Sequence, residues 1–250
     1  MKHMRPSLLP GLAAAARRNA DRGAGSVRLF ELGRRYLADG EHSTLAVMLS
    51  GDRNPRNWQS GKAERFDAFD AKAEVLALLE AAGAPVANLT LTMGAGEAWH
   101  PGRSARFGLG PKTILSDFGE LHPRVAKALD LPAGTVAAEI YLDAIPASRS
   151  SGHSRPPYAP PLLQPVTRDF AFIVPADLQA DALVRAVRGA DKQAIVGARI
   201  FDRFEGDAGL SLAVEVVLQP GEKSFTEAEI AEIGQRIIAA AAKLGATLRA

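Results

Sequence analysis

Residues 195–205 and 210–218 are two β-rich runs separated only by Gly206, Asp207, Ala208 and Gly209. A link that short cannot carry a parallel crossover, so the two runs must pair as an antiparallel hairpin. The flanking sequence extends the constraint. Upstream, residues 167–174 (TRDFAFIV) alternate Phe170, Phe172 and Val174 with Ala171 and Ile173, the period of a strand buried on both faces, and Pro175 ends it. Asp177 stands where it can cap a helix that carries Leu178, Ala182, Leu183 or Val184, and Val187 at helical spacing, with Gly189 after its last turn. Downstream, Thr226 and Glu229 form a capping box, Ile230, Ile233, Ile237, Ala241 and Leu244 trace one helical stripe, and Gly245 stops it. Residues 246–249 then supply a short last strand. Strand, helix, strand, strand, helix, strand is the order of a ferredoxin-like sandwich, with both helices on one face of a four-stranded antiparallel sheet. The other face is left free to bind.

The preceding residues read as mixed α+β, mainly antiparallel. Pro10 leads into an Ala-rich helix over 12–18 that ends in basic residues. Residues 27–36 and 43–50 read as neighbouring strands, with Gly33 permitting a bulge or a close approach. Asp70 is read as the N-cap of a helix over 71–82 with Gly83 at its end, and strands follow at 89–93, 104–109, 113–121 and 136–145. From 146 to 165 the chain turns rich in Ser and Pro, the composition of an extended linker. The expected division is a core over 1–146, a linker over 147–164 and a ferredoxin-like domain over 165–250.

Composition narrows the function classes. The chain has no cysteine, which removes disulfides, thiolate nucleophiles and Cys-ligated zinc. With 47 % hydrophobic residues it can build real cores, and it contains no membrane-length apolar run, so a cytoplasmic location without membrane contact is expected. Its net charge of +2 is unevenly distributed: 20 Lys and Arg against 16 Asp and Glu up to residue 164, then 10 against 12. Nucleic-acid binding by the second part therefore needs a local basic patch rather than bulk attraction.

Several motifs in one order carry a resemblance across most of the chain. MRPSLLPGL with VRLFELGRRY, then FDAFDAKAEVLALLEAAG, then WHPGRSARFGLG followed by DFGELHPRVAKALDL, and finally RDFAFIV, IFDRFEG and the terminal TLR resemble the β subunit of bacterial phenylalanine–tRNA ligase. The resemblance implies a degenerate class II synthetase core followed by a ferredoxin-fold anticodon-binding domain. It also implies a longer parent chain, with this sequence starting partway through the synthetase-like core. A catalytic α subunit and tRNA(Phe) are the implied partners, in a heterotetramer of two α and two β subunits. The whole enzyme would use ATP and Mg2+, with neither bound by this segment.

Class II synthetases grip the ATP α-phosphate with an arginine on a strand reading roughly F-E-I-G-x-x-F-R-x-E, where the guanidinium fork matches phosphate oxygens. Residues Phe30 to Tyr36 (FELGRRY) resemble its start, but Leu37 stands at the arginine's place and Asp39 at the last glutamate's. A leucine cannot bind phosphate, so no catalytic residue is assigned; Arg34 and Arg35 are the weaker substitutes. The five histidines (His3, His42, His100, His122 and His153) are dispersed without a metal-ligand spacing, and His100 and His122 precede prolines, which suits turns. The glycine pairs at 94/96 and 108/110 lack the Lys and Ser/Thr of a phosphate loop. Asp67 and Asp70 form a possible carboxylate pair that helix capping explains more simply.

For tRNA binding the candidates are Arg168, Arg199, Arg203, Lys223 and Arg249, drawn from strands and loops expected to converge on the free sheet face or its edge. Phe201 and Phe204 are possible stacking rings, with at least one expected in the core because alternation separates them. The 210–218 strand has no aromatic residue, so RNA-recognition-motif stacking is not expected. The alternative function is a structural protein-interaction module whose ferredoxin-like domain never contacts RNA. The first helix, cut off from neighbours, is expected to leave an apolar patch.

Overall fold

The protein is described by a computed structural model that covers residues 4–147, 159–207 and 209–249. Two compact units divide the chain, Met1–His153 and Ser154–Ala250. Of the expected Ser/Pro-rich linker, residues 148–158 lie outside the described residues.

In the first unit the elements run α1 (Leu9–Ala20), β1 (Ser26–Leu37), β2 (Gly40–Asn54), β3 (Glu64–Arg65), α2 (Ala68–Ala81), β4 (Thr90–Met93), β5 (Trp99–Leu109), β6 (Thr113–Leu121), α3 (Pro123–Ala128) and β7 (Val136–Tyr141). All strand pairings are antiparallel, in the order β1-β2-β7-β6-β5-β4, with β3 pairing off the path on β2. Alternation along β2 and β7 divides the sheet's two faces. Val47, Leu49, Ala138 and Ile140 pack with Phe107, Leu115 and Phe118 under Val75 and Leu79 of α2. Ala46, Met48 and Ala137 pack on the opposite face with Leu8, Leu9, Leu12 and Ala13 at α1 and with Ala126 of α3. Leu79 and Met48 are wholly buried, each worth about 1.5–3 kcal/mol relative to exposure.

Three expectations are corrected here. The Ala-rich helix is not an uncovered patch: Leu9, Leu12, Ala13 and Ala16 are buried against the sheet, because small side chains let α1 lie close to Ala46 and Ala137. Asp67 rather than Asp70 is the N-cap of α2; its carboxylate accepts from the amides of Phe69 and Asp70, while Asp70, one turn inside, accepts from the Asp67 amide. The last strand of the unit stops at Tyr141, and residues 142–144 form a 3-10 turn instead of extending it to 145. At Gly33 the pairing runs without a bulge, and the missing side chain makes room for the Arg5 guanidinium, which a Cβ would meet at 2.6 Å.

The second unit consists of β8 (Val166–Val174), α4 (Ala180–Ala190), β9 (Ile195–Gly206), β10 (Gly209–Leu218), α5 (Glu227–Ala242) and β11 (Thr247–Leu248), with the antiparallel sheet order β11-β8-β10-β9. This is the expected ferredoxin-like order. Leu183 and Val187 of α4 and Ile233, Ile237 and Ala241 of α5 pack on Phe172, Val174, Leu212, Val214, Val216 and Leu218, so both helices cover the same face. The capping box of α5 is made by Thr226 and Glu229 as read from sequence.

Helix α4 departs from its reading. The Leu178 amide donates to the Pro175 carbonyl, which spends residues 175–178 on a turn, and the helix starts only after Gln179. Asp177 therefore caps nothing. Gly189 lies inside the last turn, and the stop comes at Asp191, whose carboxylate accepts from the Gln193 and Ala194 amides and pairs with Arg236 of α5 at 2.8 Å. Nor is β8 buried on both faces: Phe172 and Val174 are buried, while Ala171 and Ile173 on the other side are half-exposed.

Candidate nucleic-acid interface

The face of the ferredoxin-like sheet opposite α4 and α5 follows from its register. On β10 the positions between the core residues are Ser211, Ala213, Glu215 and Val217. Ser211 pairs with Ile173 and Phe204, Ala213 with Ala171 and Asp202, Glu215 with Asp169 and Arg199, and Val217 with Thr167 and Gly197. No described element of this unit packs over them. Small side chains keep the middle of the face low, and charged and aromatic groups stand along it. Arg249 follows the short β11 strand, its amide donating to the Ala171 carbonyl at 2.8 Å. Its guanidinium reaches the Phe204 ring, 5.6 Å from the centroid, a cation–π contact. Around these two groups, Ile173, Ser211, Gly206, Asp207 and Gly209 line a shallow hollow of about 110 Å³.

The five expected cations do not converge. Arg199 lies on the open face, held by Glu215 through hydrogen bonds of 2.7 and 3.2 Å. The same contact pulls the Glu215 carboxyl below its usual range, chiefly through the Arg199 hydrogen bond. Arg249 is also on that face. Arg168 pairs with Val216 and Arg203 with Leu212, which puts both at alternation positions of the helix-covered side. Arg203 is paired with Glu205 at 3.1 Å, and Arg168 donates to the carbonyl of Thr167. Lys223 lies in the connection from β10 to α5, beside the sheet end where Arg168 sits. That end is about 17 Å from the Phe204 row, five residues along β10 at about 3.4 Å each. Among the described residues Arg168, Lys223 and Arg249 have no carboxylate partner.

The aromatic pair also differs from expectation. A register shift opposite Ala213 and Val214 leaves Phe201 without a facing residue, so simple alternation no longer separates it from Phe204. Neither ring is core: Phe201 is 50 % exposed and Phe204 52 %.

In the first unit, the strand that resembles an ATP-gripping strand has Leu37 at the arginine's place, with Arg34 and Arg35 before it. Leu37 is partly exposed and aliphatic. Arg34 is bound to Glu41, and Arg35 lies with its guanidinium 4.0 Å from the Tyr141 ring centroid. Leu37 offers no group to a nucleotide phosphate, and both neighbouring guanidiniums are engaged within the unit. Among the described residues no group of three or more His, Cys, Asp or Glu could hold a metal ion. His100 and His122 serve turns, each Nδ1 accepting from the amide two residues on at 3.1 Å.

A buried charged cluster on the α1 side of this sheet was missed from sequence. Glu139 is 7 % exposed, and one of its oxygens accepts from the Ser7 hydroxyl at 2.9 Å and the Leu8 amide at 2.8 Å. It thereby supplies the cap that Leu8 cannot give α1, with a negative charge at the helix N-terminus. Beside it Asp117 accepts from the Tyr141 hydroxyl at 2.9 Å, with Arg106 Nε 3.1 Å away. Burial pushes the carboxyls of Asp117 and Glu139 above their usual range and raises the Tyr141 phenol further still. An acid inside the apolar run VAAEIY was the available signal.

Fold and site together define a class: an α+β chain in which an antiparallel core precedes a ferredoxin-fold domain with one sheet face open. Residues 1–142 match the family described as phenylalanyl tRNA synthetase beta chain CLM domain, and residues 161–249 match the ferredoxin-fold anticodon binding domain. The chain belongs to the phenylalanyl-tRNA synthetase beta chain family. It is 54 % identical to the phenylalanine–tRNA ligase beta subunit of Zymomonas mobilis and 58 % identical to that of Novosphingobium aromaticivorans, in each case over 100 % of this chain and 32 % of the relative. The Brucella suis beta subunit is 43 % identical with the same coverage. The chain thus spans about a third of the length of the curated relatives it matches. No helix among the described residues is long and apolar enough to cross a membrane.

Proposed function

We propose that this chain is the tRNA-positioning, noncatalytic part of a phenylalanine–tRNA ligase beta subunit. In this reading it works in the cytoplasm in a heterotetramer of two α and two β subunits, and the α subunit carries out ATP- and Mg2+-dependent attachment of phenylalanine to tRNA(Phe). The observation that carries the reading is the anticodon-binding family match falling on a unit whose sheet has one open face bearing Arg249 and Phe204. The aliphatic Leu37 at the arginine's place, with Arg34 and Arg35 engaged by Glu41 and Tyr141, supports placing the chemistry on the other subunit.

The RNA contacts we assign are Arg249 with Phe204 at the hairpin end of the open face and, at the sheet's other end, Arg168 on the helix-covered side with Lys223 in the β10–α5 connection. Arg199 and Arg203 join when RNA phosphates compete with Glu215 and Glu205 for them. A ring stacked on a base contributes about 1–3 kcal/mol, and each neutralised phosphate makes binding fall with salt. Holding the tRNA in one orientation makes delivery of its acceptor end an oriented step instead of a search.

Asp169, Asp202 and Glu215 on the open face favour a second reading, a protein-docking module that leaves RNA alone. Co-purification of the chain with an α subunit, followed by tRNA(Phe) filter binding across a salt series, separates the two. Salt-dependent binding weakened by charge reversal at Arg168 and Arg249 supports the first. An assembled complex whose tRNA affinity ignores those changes overturns it.

A further inference from the structure

Strand β1 is an edge strand of twelve residues, and among the described residues of its unit no strand pairs with its outer side. Its exposure alternates along its length: Arg28, Phe30, Leu32 and Arg34 are exposed on the face that carries α2, while Leu29, Glu31 and Gly33 are half-buried toward α1. Helix α2 covers the middle of that face and stops short of β1, so Phe30 is 76 % exposed and Leu32 64 %. Two large apolar side chains two residues apart on an edge strand are unusual in a protein that has buried its other strands.

The backbone is equally open. Leu37 and Gly40 close a two-residue hairpin, so odd-numbered residues of β1 exchange hydrogen bonds with β2 and even-numbered residues point their amides and carbonyls outward. The outermost of these are taken: the Tyr36 amide donates to the Arg5 carbonyl at 2.8 Å, and the Arg34 carbonyl accepts from Arg5 Nε at 3.0 Å. The amides and carbonyls of Arg28, Phe30 and Leu32 have no partner among the described residues. No proline or bulge interrupts this stretch, and of the usual devices that keep an edge from pairing it has only the charges of Arg28, Glu31 and Arg34.

Free main-chain groups at every second residue accept only an extended chain, and the side chains choose which one. A second copy paired about Glu31 would set Phe30 against Leu32, but it would also set Arg28 against Arg34 at both ends, and like charges directly opposite are unfavourable. Acidic groups at those two positions instead meet opposite charge, at Arg28, which lies over the Phe66 ring and donates to the Arg53 carbonyl, and at Arg34, which is paired with Glu41. We propose that residues 28–34 take up an extended segment of another polypeptide as an added strand, one with apolar side chains opposite Phe30 and Leu32 and acidic side chains opposite Arg28 and Arg34. The motif is acidic-x-apolar-x-apolar-x-acidic and reads the same in either direction.

The test uses the 250-residue chain and two acetylated, amidated heptapeptides, Glu-Thr-Val-Thr-Val-Thr-Glu and the same sequence with lysine at both ends. Amide exchange followed by NMR gives the readout. In the free chain the Phe30 and Leu32 amides exchange fast while those of Leu29, Glu31 and Gly33 are protected. At about 1 mM acidic peptide, exchange at Phe30 and Leu32 slows at least about tenfold. The lysine-ended peptide binds at least about tenfold more weakly at low salt. The double variant Phe30→Lys, Leu32→Lys abolishes the slowing and leaves the thermal melt in place, since both side chains are exposed. The proposal is overturned by unchanged exchange at saturating peptide, by protection at other amides only, or by equal binding of the two peptides. It is also overturned by protection that grows with protein concentration alone, which makes a second copy the occupant.

Discussion

The ion pair between Arg199 and Glu215 decides how much charge the open sheet face offers to RNA, and Glu215→Gln measures it. In the parent chain the guanidinium is held by both carboxylate oxygens, so the pair presents almost no net charge. Removing the carboxylate charge adds one unit of positive charge beside Ala213 and Val217, with no core residue touched. Each phosphate neutralised changes the slope of log K against log salt by about 0.7 for single strands and 0.9 for duplex. One additional contact therefore tightens tRNA(Phe) binding about five- to eightfold at about 0.1 M salt, a gain that fades toward about 1 M. Arg249→Ala moves the other way by a similar factor and loses the Phe204 contact besides. Filter binding over about 50–400 mM salt reads both quantities. Identical slopes in the parent and both variants, or an affinity gain in Glu215→Gln that persists at high salt, refutes the reasoning.

Glu139→Ala leaves the buried Leu8 amide without an acceptor and should cost about 1–3 kcal/mol, seen as loss of exchange protection in α1 and a lower melting temperature. Glu139→Gln keeps an acceptor oxygen and sheds the buried charge. Because burial raises the folded carboxyl above its ordinary value, the protonated form's contribution is fully present below roughly pH 4 and is lost as pH rises through the folded value. Denaturant titrations should therefore show the Gln variant gaining on the parent as pH rises through that window, and a constant gap would refute this. Asp67→Ala should cost about 1 kcal/mol through loss of the α2 cap, measured in the same titrations. Gly119→Ala should cost more than about 2 kcal/mol, because φ is +132° and a Cβ there would meet Ser104 Cα at 2.6 Å; a melt within a degree or two of the parent would refute it.

How far the sequence could be read depended on how local the determinant was. The ferredoxin-like order was legible because the Thr226–Glu229 box, the stripe through Ile233 and Ile237, and the short link at residues 206–209 are all settled within a few residues. Where two local solutions fitted, the choice went astray: Asp67 and Asp70 can each cap a helix, and only the turn geometry makes one the cap and the other its reciprocal. Asp177 lost its role to a turn that no side chain announced. The candidate site was less legible because it depends on register. Whether Arg203 shares a face with Arg249 is decided by pairing with Leu212, and the irregularity beside Phe201 is invisible to a strict two-residue period. Glu139 was hardest, since its partners lie more than a hundred residues away.

That last separation has a consequence for synthesis on the ribosome. The Leu8 amide waits for an acceptor 131 positions further along the chain. At about 5–20 residues per second, roughly 7 to 26 s pass between the two leaving the peptidyl-transferase centre. Through that interval α1 can already lie on β1 and β2, but the Leu8 amide at its N-terminus has no acceptor. Translation speed over the whole stretch from Leu8 to Glu139, rather than the intrinsic helicity of α1, thus sets how long that helix end stays uncapped.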